Sequence, residues 1–149
     1  MEILKNRLNN FINIDVDQLW IDIIGGNEEY ILNLNRYDQL FNEGINSDGV
    51  NLDNIGGAYT EGYASYKRSL GLPDDRNTLF INGYFYSQFE LVVNKEGFKI
   101  EASKAIELVR KVLTRFGDKT LGLTSESENK LSLYLSDSIR DIQLKTLIQ

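Results

Sequence analysis

The sequence predicts an α+β fold in which helices flank a small antiparallel sheet built on a central β-hairpin, with a long C-terminal helix. Three observations carry this. Apolar residues recur at spacings near 3.6 over most of the chain, a single stretch after Thr78 switches to a period of two, and the turn sequence NKEG interrupts that stretch.

Residues 2–12 place Ile3, Leu4, Leu8, Phe11 and Ile12 at helical spacing, and residues 16–24 do the same with Val16, Leu19, Trp20, Ile23 and Ile24. Two short helices are expected, the second capped by Asp15. Gly25 and Gly26 should stop it and Asn27 should cap the next helix. That third helix, over 28–43, carries an apolar stripe of Tyr30, Ile31, Leu34, Tyr37, Leu40 and Phe41, with Glu28, Asn35, Asp38 and Asn42 mostly off it.

The segment EGINSDGVNLDNIGGAY is rich in Gly, Asn and Asp and reads as a long loop, of a length usually tied to function or mobility. A short helix over 60–69 starts at Thr60, carries Tyr63, Tyr66 and Leu70, and ends at Gly71 with Pro73 beyond. From 84 to 94 the alternation of Phe85, Ser87, Phe89, Leu91 and Val93 with Tyr84, Tyr86, Gln88, Glu90 and Val92 predicts a strand. NKEG turns it, with Gly97 at the position needing positive φ, and Phe98, Ile100 and Ala102 continue the return strand. Ser103 is expected to cap a helix over 104–116 that Gly117 ends. Ser125 and Glu128 form a capping-box pattern before Leu131, Tyr134, Leu135, Ile139 and Ile142, which recur at helical spacing.

At 149 residues, with 42% hydrophobic and 26% charged residues, the composition is that of one ordinary globular domain able to bury its own core. The chain has no cysteine and no histidine, which excludes disulfides, thiolate chemistry, cysteine-ligated zinc and the commonest acid/base at neutral pH. No apolar run is long enough to cross a bilayer, and MEILKNRLNNF lacks a secretory pattern, so the chain is expected to stay where it is made. A net charge of -6 argues against binding phosphate backbones. Lys104, Arg110, Lys111 and Arg115 share their helix with Glu107 and read as a solvated face.

NSDGVNLDN suggests a calcium loop, but with Asp48 and Gly49 in the fifth and sixth places the first and twelfth fall on Gly44 and Ile55, which supply no carboxylate. An Asx turn explains it. Asp74 with Asp75, and Glu43 with Asp48, lack the apolar flanks that would raise one pKa for acid/base work. The glycines at 25, 26, 56 and 57 fit no phosphate loop. No catalytic residue, metal or cofactor is expected.

The tyrosines are the better lead. Tyr59, Tyr63, Tyr66, Tyr84 and Tyr86 crowd one region together with Phe80, Phe85 and Phe89. Alternation puts Tyr84 and Tyr86 on the strand face opposite Phe85 and Phe89. With the phenylalanines in the core, those two tyrosines either lie under neighbouring helices or face a partner.

The order QLFNEGINSDG, YASYKRSLGLP, LFINGYFYSQFELVVNKEGFKIEAS and RFGDKTLGLTSESE, over residues 36–128, resembles that of phage tail-completion and virion-morphogenesis proteins. Gly49 matches the glycine after the loop aspartate, Lys67 the lysine of the short helix, and Gly83, Phe85 and Phe89 the opening of the hairpin. Leu121, Gly122 and Leu123 match the turn before the last helix. Asn82 stands where Thr or Ser is usual, Gln88 where Ser is usual, no tryptophan follows Gly49, and the histidine often found after the hairpin is absent.

The resemblance implies a single domain over 1–149, with 1–26 a helical N-terminal extension to a core over 27–149. It implies a structural virion protein, a head–tail joining subunit of a homo-oligomeric ring in the neck, assembled in the host cytoplasm. Portal, connector or tail proteins would be its partners, DNA would pass without sequence-specific binding, and no membrane would be involved. Tyr59, Tyr63, Tyr84, Tyr86, Asp48 and Gly49 are the interface candidates. A protein-binding module or regulator without catalytic activity is the alternative, and a carboxylate-based hydrolase the remote one.

Overall fold

A computed structural model describes residues 2, 5, 6 and 13–148 of the chain. The helix expected over 2–12 lies almost wholly outside them. The described elements form an α+β fold: helices around one two-stranded antiparallel sheet, closed by a long C-terminal helix.

Helix α1, Val16–Gly26, starts as the sequence implies, with Asp15 Oδ1 accepting the Gln18 N–H at 3.0 Å. The glycine pair does not stop it, since both glycines are helical. Asn27 stands at the N-cap position of the next helix, as expected, but its side chain makes no cap bond there; its Nδ2 instead donates to the Ile23 carbonyl at 2.7 Å and so satisfies the end of α1. Ile23 and Ile24 at the end of α1 are buried in the core.

Helix α2, Glu28–Asn33, runs straight into a π-helical segment, Leu34–Glu43. The wider winding changes which side chains face inward. Residues five apart share the buried side, so Leu34 and Asn35 point in with Gln39 and Leu40, while Tyr37 is exposed. Asn35 is therefore on the inner face and Tyr37 off it, the reverse of the 3.6-residue reading. Gly44 closes the segment at φ +66°, where an added Cβ would meet the Asn77 carbonyl at 2.9 Å.

The loop that follows is ordered by its own side chains. Asn46, itself buried, accepts the N–H groups of Asp48 and Val50, and Ile45 bridges to Asn51. Fully buried Leu52 leads into the short helix α3, Asp53–Gly56. Helix α4, Glu61–Ser69, is capped as expected by Thr60, whose Oγ1 accepts the Tyr63 N–H at 3.3 Å, and gives way to Gly71.

The hairpin is shorter than the alternation implied. Strand β1 is Glu90–Asn94 and β2 is Gly97–Glu101, paired from Glu90 with Glu101 to Asn94 with Gly97. Residues 84–89 are not strand. Gly83 at φ +81° turns the chain, and Tyr86–Gln88 form a 3-10 turn that carries Phe85, Tyr86 and Phe89 all into the core.

Helix α5, Glu107–Phe116, begins three residues later than expected, because Ser103 Oγ accepts the Ala105 N–H in a local turn. It presents Val109, Leu113 and Phe116 to the core. A 3-10 turn, Asp118–Thr120, leads to helix α6, Ser125–Ile148. Its cap is Thr124, whose Oγ1 accepts the Ser127 N–H at 3.2 Å, and not the Ser125–Glu128 pair. The early turns of α6 are anchored in the core through Ser127, Leu131 and Leu135, Ile142 packs against the core further along, and Tyr134 stacks on Tyr30 at 4.0 Å.

Candidate functional site

Three chain segments wall an open, mostly apolar cleft of about 440 Å³. The first wall is the start of α4. Thr60 fixes its first turn, which sets Tyr63 and Tyr66 outward and turns Ala64 and Lys67 inward. Tyr59 and Tyr63 pack edge to face at 4.9 Å, and Tyr63 and Tyr66 lie 6.1 Å apart. Partial burial, and then the neighbouring Tyr59 and Tyr66, push the Tyr63 hydroxyl pKa above its ordinary value. The second wall is α5, which lines the cleft with Leu108, Val112, Arg115 and Phe116, at helical spacing.

The floor is residues 77–82, an irregular stretch that belongs to neither strand. Its residue Leu79 has φ +58°, a conformation costing a β-carbon-bearing residue about 1–3 kcal/mol. Surrounding bonds hold the stretch in place. Asn77 donates to Asp53 Oδ1 and to the Gly57 carbonyl, and the Thr78 N–H reaches the Tyr59 hydroxyl at 3.1 Å. The Tyr86 hydroxyl donates to the Thr78 carbonyl.

Beneath this floor lies Lys67, wholly enclosed. Its Nζ donates to Thr78 Oγ1 at 3.1 Å and to the Phe80 carbonyl, and sits 5.5 Å from the centre of the Tyr59 ring. The oxygens it bonds are all neutral, so desolvation dominates and holds the lysine pKa below its ordinary value. Lys67 thus ties α4 to the cleft floor.

A second polar cluster joins the π-helical segment to the turn before α6. Gln39 Nε2 donates to the Gly122 carbonyl at 2.9 Å, and its Oε1 accepts the Thr124 N–H at 2.9 Å. Asn35 makes a similar pair with the Thr120 carbonyl at 3.2 Å and the Gly122 N–H at 3.3 Å. Both side chains are almost fully enclosed. Two amides of one helix thereby hold residues 120–124 as a strand partner would.

The interface candidates separate. Tyr59 and Tyr63 line the cleft together, and Tyr84 is exposed but lines neither this cleft nor its walls. Tyr86 is 2% exposed and surrounded by Tyr37, Phe80, Phe85 and Phe89, with burial pushing its pKa well up. It belongs to the core, which corrects its assignment to the face opposite Phe85 and Phe89. Asp48 and Gly49 sit apart from the cleft, where the Asp48 carboxylate pairs with Lys119 at 3.2 Å.

Ile81 and Leu108, which carry no functional signal in the sequence, also line the cleft, as do Phe80 of the aromatic crowd and Arg115 of the helix face expected to be solvated. Ile81 and Leu108 are exposed apolar side chains at its rim. Arg115 spans to α3, both its Nε and one terminal nitrogen donating to the Gly56 carbonyl. The cleft lining contains no carboxylate. None of the candidate acids lines the cleft: Asp74 pairs with Arg68 and Asp75 with Arg76, each at 2.6 Å, and Glu43 and Asp48 lie elsewhere. Among the described residues no cluster of three or more metal-ligating side chains occurs. The cleft can present aromatic and aliphatic surface with hydroxyl, amide and guanidinium donors at its edges, a composition suited to holding a protein segment. Comparison with known protein families, curated proteins and solved structures found no match to the chain.

Proposed function

We propose that this chain is a structural subunit of a phage neck, a tail-completion or head–tail joining protein that assembles into a ring around the DNA channel. The observation that carries the reading is that four separate stretches resembling that family bond directly to one another. Gln39 of the first grips Gly122 and Thr124 of the fourth, and Lys67 of the second donates to Phe80 of the third. Arg36, three residues before the first, donates to the Phe89 carbonyl of the third at 3.2 Å. Residues scattered over some eighty positions thus form one scaffold, a reason for such a pattern to exist as a unit.

The exposed part of that scaffold suits a ring. Closed rings use heterologous contacts, in which one surface receives a different surface of the next copy. The cleft offers such a receiving surface, with Tyr59, Tyr63, Ile81 and Leu108 as its apolar anchors. A net charge of -6 favours sliding of DNA past the chain over sticking.

Native mass measurement of the purified chain, alone and mixed with portal and tail proteins from the same genome, tests the reading. A closed oligomer, or a complex of several copies on the portal, is the expected result, and Tyr63→Ser should weaken it. A strict monomer that joins neither protein overturns it, and a one-to-one complex with a single non-virion protein favours the binding-module alternative.

A further inference from the structure

The two outer edges of the hairpin are treated differently. β1 packs against α1 and α2, its outward Leu91 N–H donating to Glu28 Oε1 at 3.4 Å, and just before the strand the Phe89 carbonyl accepts from Arg36. The register sets Leu91 against Ile100 and Val93 against Phe98, so the backbone groups of Phe98 and Ile100 point away on the far edge of β2. These groups make no hydrogen bond among the described residues. Beside them runs an open groove of about 620 Å³, lined by every residue from 97 to 102. Successive side chains of a strand lie on opposite faces, so a groove touching all of them follows the edge and not a face. Its far wall is Trp20, Leu113, Leu121 and Leu123.

We propose that this edge pairs with the same edge of a second copy of the chain, antiparallel about a two-fold axis at Ile100, making a four-stranded sheet. The sequence of β2 and its next residue, Phe98-Lys99-Ile100-Glu101-Ala102, is complementary to itself in that register. Ile100 faces Ile100, Lys99 of each copy faces Glu101 of the other, and Phe98 faces Ala102, whose small side chain leaves room for the ring. Sliding the partner by two residues sets Lys99 against Lys99 or Glu101 against Glu101, so charge selects the one register. Both charged side chains are exposed and already bridge at 2.7 Å within the strand, leaving them on the solvent face for cross-strand contact. An open edge with an adjoining apolar wall is a template for strand addition, and a two-fold contact uses it without leaving a new edge. The groove shares no lining residue with the tyrosine cleft, so the pairing leaves the cleft free and stands apart from the neck reading.

Sedimentation velocity of the purified full chain over a concentration series tests it. The wild type should equilibrate between monomer and dimer, with amide exchange at Phe98 and Ile100 slowing as concentration rises. K99E and E101K should each weaken the dimer at least about tenfold, since two attractive cross-strand pairs become repulsive. An equimolar mixture of K99E and E101K should restore a dimer of wild-type strength, which a general loss of stability would not do. A wild type that stays monomeric, a dimer indifferent to K99E, or a mixture that fails to pair each overturns the proposal.

Discussion

Replacing Tyr86 separates a core side chain from a contact surface. Its ring lies 5.3 Å from Phe80, 5.7 Å from Tyr37 and 5.8 Å from Phe89, and its hydroxyl serves the Thr78 carbonyl in the cleft floor. Tyr86→Phe keeps the packing and removes one buried bond, leaving the Thr78 carbonyl without that donor, a loss of about 1–2 kcal/mol. Tyr86→Ala also empties an aromatic site in a core that is closed around it, raising the loss to about 3–5 kcal/mol. Against a total stability of about 5–15 kcal/mol for a domain, that is a large fraction. Tyr84→Ser, at a side chain 50% exposed, should change stability by about 0.5 kcal/mol or less. Urea unfolding followed by tyrosine and tryptophan fluorescence gives all three values from the midpoint shift at constant slope. A Tyr86→Ala loss below about 1 kcal/mol, or an equal loss for Tyr84→Ser, would refute the placement of Tyr86.

Gln39→Leu should destabilise by about 2–5 kcal/mol, because it strips partners from both the Gly122 carbonyl and the Thr124 N–H; denaturant titration measures it, and a loss under about 0.5 kcal/mol contradicts the clamp. The lowered pKa of Lys67 makes stability depend on pH. Between that lowered value and the ordinary 10.5 the unfolded chain keeps a proton the folded chain has shed, so stability from this group rises with pH across that window. Lys67→Met should flatten that rise when both chains are unfolded at a series of pH values ending below about 10, before tyrosines titrate. A wild type whose stability tracks the variant's at every pH removes the buried-charge argument.

How far the fold could be read ahead depended on which signal each segment carried. NKEG between alternating residues located the hairpin, and Asp15 and Thr60 announced their caps, because these features act through near neighbours. The strand begins at Glu90, six residues later than the alternation of Tyr84 to Phe89 by residue type implies. Gly83 and the 3-10 turn wind that stretch so that neighbours Phe85 and Tyr86 both point inward. Asn35 reads as lying off the apolar stripe, and Gln39, polar like it, carries no sequence signal of burial. Their partners, the backbone of 120–124, lie more than eighty residues away, and the π winding that turns them inward has no signature in a 3.6-residue period.

The cleft was half legible. The tyrosine crowd pointed to Tyr59 and Tyr63, and Thr60 placed them on one turn. Lys67 gave no warning of burial, because an aliphatic stem with a charged head is ordinarily solvated, and only its enclosed oxygens at Thr78 and Phe80 account for its position. Leu108 and Arg115 join the cleft through the packing of α5 across the chain, a tertiary fact that periodicity does not contain.

The proposed neck role would make the chain a fixed component of a particle. Its quantity in purified virions, produced from a genome encoding either the wild-type chain or Tyr63→Ser, is the direct measure. A constant small number of wild-type copies per particle, located between portal and tail, and a reduced yield of joined particles for the variant are expected. A chain absent from particles, or tailed particles assembled equally well without it, would contradict the account.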